Sequence, residues 1–473
     1  VSDLLSLSAP KKRREFKMLD STKLDSTKLD STKYKTKNYL HFDYRVKIEN
    51  VESYVTDHSK IGNHSFLPLI RYVSSFEKRI EEKNPEFDNR PIKTKDRVIM
   101  YAGHMDNFIY KYYAEVLNKD FYNKFCMEKG IDDCVSAYRN NKVGKSNIDF
   151  AAEIINQMVN YKEAYILVGD FTNYFDKINH ELLKKHLAEV LNQPRLSKDW
   201  FNVFRSITKY GYYEKSFLNE EYGSDESIKR SNKKSYFENI SKFREFQKNN
   251  KTLCNKNKFG IPQGSAISAV FANIYASEFD LKLKEIADEF SGIYRRYSDD
   301  FILVIPKSDI VNEQKIRRIE TDTRRVASEY KIELHKDKTG LYLYENDKIF
   351  DIISNEVSHL DYLGFVFDGT TVKMRGKSPY KFYRNAKKLI TFAQKVKVKK
   401  ELTDLPYKKK IYGLCTDLGK NYNNHGNFIS YAKRAQKKFD EISPNTNNLI
   451  MNQLKNRKKK IEKMLGYKIH TKI

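Results

Sequence analysis

Cysteine is scarce: the chain of 473 residues has four, at positions 126, 134, 254 and 415, with no CxxC pair among them. That excludes a disulfide-stapled scaffold and a paired-cysteine zinc site, and four scattered residues are expected to be buried, reduced thiols. Long apolar runs are missing too. No stretch approaches the ~20 residues a membrane-spanning helix needs. The first residues lack the apolar core and small-residue cleavage site of a signal peptide, so a cytoplasmic protein with no membrane partner is expected. Acidic residues are the minority, 62 against 88 Lys and Arg, leaving a net charge of +26. Such an excess attracts a polyanion, yet it also fits solvated lysine faces, so charge alone does not choose a function.

What is present is enough to fold. Hydrophobic residues make up 40% and aromatics 13%, and the length suits two or three subdomains. The pentapeptide Leu19-Asp20-Ser21-Thr22-Lys23 recurs at 24–28 and 29–33, after a basic run at 11–14. Such units are too short for a solenoid, so residues 1–40 read as a flexible basic arm. Residues 66–82 carry apolar positions at helical spacing, and 97–101 read as a strand followed by helical patterning to Phe121. The run 165–169 is a buried-strand candidate ending at Asp170, with a helix starting near His180. Residues 210–257 are polar, rich in Lys, Asn and Ser, and read as a surface insertion. A helix is expected over 265–283, strands at 292–297 and 301–306, a helix over 313–330, and strands at 331–335 and 360–368. From Ser378 the pattern is helical and basic. The alternation predicts an α+β fold with a sheet covered by helices on one face.

The chemistry centres on Tyr297-Ser298-Asp299-Asp300-Phe301. Adjacent carboxylates at the tip of an apolar hairpin are costly unless a cation neutralises them. A hard divalent ion prefers such oxygen ligands, and two-ion phosphoryl transfer uses carboxylates from separate strand ends. Asp170 supplies the second strand end.

With these residues assembled, the sequence resembles the reverse-transcriptase family over roughly residues 91–379. Tyr297-Ser298-Asp299-Asp300 resembles the family's YxDD box, and Asp170-Phe171-Thr172-Asn173-Tyr174-Phe175-Asp176 its first aspartate motif. Gly260-Ile261-Pro262-Gln263-Gly264-Ser265, running into Ser268 and Asn273, is similar to the PQG box. Leu334-His335-Lys336-Asp337-Lys338 resembles the lysine motif and Tyr362-Leu363-Gly364-Phe365 the primer grip. Lys95-Asp96-Arg97-Val98-Ile99 and Ser136-Ala137-Tyr138-Arg139 resemble finger motifs.

The resemblance implies a right-hand polymerase with fingers (41–160), a ferredoxin-like palm (161–377, with an insertion at about 206–258) and a helical basic thumb and extension (378–473). Asp170 and Asp299 would ligate two Mg²⁺ ions (Mn²⁺ as substitute), with the Phe171 carbonyl as a further ligand and Asp300 in support. Lys95 and Arg97 would clamp the triphosphate of the incoming deoxynucleotide. Phe175 would exclude a ribose 2′-hydroxyl, and Gln263 and Gly264 would line the nucleotide pocket. Lys338 is a candidate proton donor to pyrophosphate. On the thumb, Lys377, Lys381, Arg384 and Lys388 are expected to track nucleic acid beside Tyr380, Phe382 and Tyr383.

No RNase H, integrase or CxxC-bearing endonuclease segment is recognisable. The chain therefore resembles most the bacterial lineage of retron, abortive-infection and defence-associated reverse transcriptases. That implies RNA-directed DNA synthesis on a bound noncoding RNA in antiphage defence, with a DNA product. Two alternatives stay open: a template-independent or protein-primed DNA polymerase on the same palm, and an RNA-binding assembly protein with a vestigial site. The oligomeric state also stays open, a homo-oligomer among the choices.

Overall fold

A computed structural model describes residues 28–79, 92–416, 426–442 and 448–469. The basic run at 11–14 and most of the pentapeptide repeat lie outside the described residues. Of the rest of the expected arm, Tyr34 and Leu40 are buried.

The centre of the molecule is a six-stranded sheet in the order β10-β9-β8-β3-β7-β6. Its strands are β3 (Ala164–Asp170), β6 (Ile293–Tyr297), β7 (Asp300–Pro306), β8 (Gly340–Glu345), β9 (Lys348–Asp351) and β10 (Glu356–Ser358). β3 pairs antiparallel with both β7 and β8. The expectation of helices on one face is corrected: both faces are covered, which is why β3 and β7 read as unbroken apolar runs rather than alternating ones. On one side Tyr165, Leu167, Leu303 and Ile305 join a core that includes α1 (His104–Val116), α3 (His180–Val190), α4 (Ala266–Tyr275), α5 (Ser277–Glu289) and α6 (Glu313–Glu329). On the other side Ala164, Ile166, Ile302 and Val304 meet α2 (Asn147–Tyr161) and the C-terminal helices in a second core. Those helices are α7 (Lys377–Lys399) and the segments Lys408–Cys415, Phe428–Asp440 and Leu449–Leu465. A small sheet of β11 (Leu360–Tyr362), β12 (Phe365–Phe367) and β13 (Val372–Met374) belongs to this second core. The single strand expected at 360–368 is thus a tight hairpin, turned at Leu363 (φ +46°) and Gly364 (φ +92°).

Further expectations are corrected. The helix expected over 66–82 is not formed by its described residues, with 80–82 lying outside them: β1 (Leu69–Arg79) pairs with β2 (Ile92–Tyr101) from Ile70 to Arg79. The 265–283 helix is broken at Ala276 into α4 and α5. Residues 331–335 contribute only an isolated bridge, Leu334 to Phe171. Of the four cysteines, Cys254 is exposed.

The Lys/Asn/Ser-rich insertion is an ordered lobe. It adds β4 (Gly211–Glu214) and β5 (Leu253–Cys254) to a second sheet, ordered β2-β1-β4-β5, and carries the helices Lys215–Tyr222, Asp225–Arg230 and Ile240–Asn249. Its core is aromatic: Tyr213, Tyr236, Phe237, Phe243 and Phe246 close around Phe42 from the N-terminal segment. Among the described residues no helix is long and apolar enough to cross a membrane.

Candidate active site

Backbone pairing alone brings the carboxylates together. The β3–β7 register runs from Ala164↔Pro306 to Asp170↔Asp300, so the last residue of one strand faces the first of the other. Tyr297 pairs with Asp300, which leaves Ser298-Asp299 as a two-residue hairpin loop. Such loops need left-handed backbone, and Ser298 has φ +63° without being glycine. Other groups hold it there. Arg296 Nη1 donates to the Ser298 carbonyl at 2.8 Å, and the Tyr138 hydroxyl lies 3.2 Å from Ser298 Oγ. Phe171 N–H donates to the Asp299 carbonyl at 3.0 Å and His335 N–H to the Asp170 carbonyl at 2.8 Å. Both strand tips are therefore tied to neighbours. One residue before Asp170, a Cβ on Gly169 would lie 2.3 Å from Phe301 Cε1. A larger residue there would force the Phe301 ring to shift.

Electrostatically the site is short of positive charge. Burial, then the charges of Asp299 and Asp170, push the Asp300 carboxyl up to about 7, against the opposing pull of Lys338 and Arg375. Lys338 Nζ sits 2.7 Å from Asp170 Oδ1. Three carboxylates facing one ammonium are a hard-oxygen donor set short of countercharge, and they fit a divalent cation. Among the described residues no three or more His, Cys, Asp or Glu side chains are drawn together into a group that could hold an ion as they stand. The carboxylates form an open platform.

The remaining predicted residues lie at three places: beside the carboxylates and the turn at 262–264, on β2, and on α7. Phe171 turns its ring inward against Tyr174 (4.9 Å) and Phe279 (5.3 Å), so only its backbone can face the platform. Phe175 is half-buried, and its carbonyl accepts from Ile261 N–H at 2.9 Å, which fastens it to the Pro262-Gln263-Gly264 turn. The Gln263 carbonyl accepts from Met100 N–H at 2.8 Å. At Gly264 φ is +123°, and a Cβ would lie 2.4 Å from the Met100 carbonyl oxygen. This glycine's close approach is thus to β2. Lys95 and Arg97 are exposed on one face of β2, the Arg97 guanidinium 5.8 Å from the Phe76 ring. Lys377, Lys381 and Lys388 are exposed on α7 and Arg384 is half-buried. Arg384 and Lys388 line a cleft of about 510 Å³ with Tyr380, Tyr383 and Phe392. Phe382, expected among the interleaved aromatics, is buried in the core.

Sequence reasoning missed the support beneath the hairpin. Arg296 and Asp280 form an ion pair at 2.7 Å with neither side chain exposed. The signal was there: in β6, strand alternation places Arg296 on the same inward face as Tyr294. Arg139 braces the same region, bonded to Asp132 and Asn123 and stacked over Tyr122.

The family model for reverse transcriptase (RNA-dependent DNA polymerase) matches residues 105–367, more than half of the chain. The chain belongs to that family, and its α+β architecture is the right-hand polymerase fold. No curated protein sequence matches it. Among solved structures, the telomerase from Candida albicans in complex with a fragment of telomeric RNA is similar with a TM-score of 0.42 and 14% identity, covering 88% of this chain and 66% of that one. The C-terminally truncated apo telomerase from Candida tropicalis gives 0.39 and 12%, covering 70% and 61%. The apo telomerase from the same species gives 0.40 and 13%, covering 88% and 71%. The chain spans less than two thirds of the first two.

Proposed function

We propose that this chain is an RNA-directed DNA polymerase that adds deoxynucleotides at the platform formed by Asp170, Asp299 and Asp300. The observation that carries the reading is the Asp170↔Asp300 pairing at the tips of β3 and β7, with the Ser298-Asp299 turn locked beside it. Asp170 and Asp299 would hold two Mg²⁺ ions with the Phe171 carbonyl, and Asp300 would add charge from behind. When bound, such ions supply activation of a primer 3′-hydroxyl and charge neutralisation on the triphosphate. The hydroxyl would give its proton to solvent, and its oxygen would bond to the α-phosphorus as the bond to pyrophosphate breaks. Lys338, beside Asp170, is placed to give that leaving group a proton. Arg97, with Lys95, offers donors to the triphosphate oxygens. Phe175, fastened to the turn that carries Gln263 and Gly264, would exclude the 2′-hydroxyl. Lys377, Lys381, Arg384 and Lys388 would follow the nucleic-acid backbone along α7.

The finer reading places the chain in the bacterial retron, abortive-infection and defence-associated lineage, copying a bound noncoding RNA in the cytoplasm. The Lys/Asn-rich lobe and the basic helical end support it. The test is to purify the full chain with its bound nucleic acid, supply deoxynucleotides and Mg²⁺, and sequence the product. A complement of the co-purified RNA is expected. A homopolymer or random sequence would instead indicate untemplated synthesis. Unchanged incorporation by Asp299→Ala would remove the catalytic reading altogether.

A further inference from the structure

Arg296 and Asp280 lie beneath the carboxylates without touching anything that reacts. The guanidinium uses all of its donors. Nε and Nη2 reach the two Asp280 oxygens at 2.7 Å each, and Nη2 also reaches the Asn273 carbonyl at 3.4 Å. Nη1 is shared between Asn273 Oδ1 at 3.2 Å and the Ser298 carbonyl at 2.8 Å. Asp280 accepts a further bond from the Tyr294 hydroxyl at 2.7 Å. A fully buried ion pair is a poor device for stability alone, since apolar side chains of similar volume commonly serve as well or better. An apolar pair cannot hold the Ser298 carbonyl.

That carbonyl begins the peptide linking Ser298 to Asp299, and the next carbonyl accepts from Phe171 N–H. The turn is thus gripped from below by Arg296 and from the side by the first aspartate motif. The main chain of Arg296 is held as well: its N–H donates to the Cys134 carbonyl at 2.7 Å and its carbonyl accepts from Ser136 N–H at 2.9 Å. This clasp covers the outer edge of β6 and brings Tyr138 to Ser298. Asn273 Nδ2 closes the ring by donating to the Ala137 carbonyl at 2.7 Å. Asn273 sits on α4, the helix that follows the Pro262-Gln263-Gly264 turn. One guanidinium therefore connects the helix behind the nucleotide turn, the 134–138 clasp and the carboxylate hairpin.

We infer that Arg296 and Asp280 are a positioning pair that sets the backbone of the Ser298-Asp299 turn and so the placement of the Asp299 and Asp300 carboxylates relative to Asp170. This rests on the polymerase reading above. Displacing a reacting arrangement by about 1 Å through a change remote from the chemistry costs about a hundredfold in rate, and that is the effect expected here.

The test uses the full chain carrying Arg296→Met with Asp280→Leu, which removes both charges and keeps the volume, and separately Arg296→Lys, which keeps the charge and loses the fork. Primed deoxynucleotide incorporation is measured across Mg²⁺ concentrations, with Asp299→Ala as the inactive control. The double variant is expected to keep the parent's urea midpoint and nucleotide KM, to lose about a hundredfold in kcat, and to need more Mg²⁺ for half-maximal rate. A folded double variant with the parent's kcat and Mg²⁺ dependence would overturn the proposal. Should the double variant fail to fold, Arg296→Lys decides: a parental Mg²⁺ requirement overturns the proposal, and a raised one with unchanged KM supports it. A parent chain that incorporates nothing, or an active Asp299→Ala, would instead sink the polymerase reading, and the positioning role with it.

Discussion

Asp170 and Asp300 are direct cross-strand partners, two carboxylates opposed where a sheet ordinarily avoids like charges. The arrangement costs stability in the absence of a cation, and its pH dependence has a definite sign. An unfolded aspartate titrates near pH 4 (about 3.9), while burial and the neighbouring charges push Asp300 up to about 7 in the folded chain. Between these values the folded state binds the extra proton, so stability falls as pH rises through the window. Asp300→Asn is therefore expected to raise the Tm of the metal-free chain at pH 8 and to change it little near pH 4. Mg²⁺ should raise the parent's Tm more at pH 8 than at pH 6. Thermal melts in chelator and in Mg²⁺ measure both. Equal Tm for parent and variant at pH 8 would show that the carboxylates do not repel as described.

Gly169 offers a test of how tightly the same strands are packed. A methyl there would fall 2.3 Å from Phe301 Cε1 and 2.4 Å from Cζ, and overpacking of this kind costs about 1–3 kcal/mol. Gly169→Ala should lower the urea midpoint by a corresponding amount, and adding Phe301→Leu should recover part of it. A single variant as stable as the parent would mean that the ring moves aside freely.

What the sequence disclosed follows from where each segment's structure is decided. β3 and β7 were legible because burial on both faces makes an apolar run that ends in a polar turn, and β6 because its residues alternate between half-buried and buried up to the same turn. That pattern located Asp170, Asp299 and Asp300 as strand-end residues. β1 was misread because it extends as a hairpin arm with Val73 and Phe76 both exposed, on opposite faces. Apolar positions there do not alternate, and a partner strand chose the conformation. The insertion hid its core, since its buried aromatics come from a strand, a turn and one helix at no fixed period. β8 and β9 did carry a signal: Asn346 and Asp347 both have positive φ and form a two-residue hairpin loop, which Asn-Asp tolerates. The Arg296–Asp280 pair joins residues 16 apart on a strand and a helix. Only the fold brings them together.

The insertion lobe depends on a residue from outside it. Phe42 is stacked on Phe243 at 4.5 Å and 11° and meets Tyr213 edge-on at 5.7 Å. The adjoining His41 carbonyl accepts from Tyr236 N–H and Ser235 Oγ, both at 3.0 Å. Truncating a buried phenylalanine costs about 3–5 kcal/mol, here concentrated in a lobe with a small core. Phe42→Ala should make residues 211–254 the first site of limited proteolysis while leaving the far-ultraviolet spectrum nearly intact. If cleavage in that segment is no faster than in the parent, the aromatic cluster is not what holds the lobe.

Phe175 gives the prediction closest to the biological product. Its backbone is fastened to the turn carrying Gln263 and Gly264 through the Ile261 N–H bond, and its ring stands edge-on to Tyr174 at 5.9 Å. Tyr174 is itself buried and donates its hydroxyl to the Ala272 carbonyl at 2.5 Å. The ring thus has little freedom to retreat, which is what steric rejection of one extra hydroxyl requires: a pocket that yields discriminates weakly. Phe175→Ala should leave deoxynucleotide incorporation within about tenfold of the parent and narrow the preference over ribonucleotides, measured as a ratio of kcat/KM values, by about tenfold or more. Phe175→Tyr keeps the ring and should keep the preference. If alanine leaves the ratio where it was, sugar discrimination lies elsewhere in the pocket and Phe175 serves packing alone.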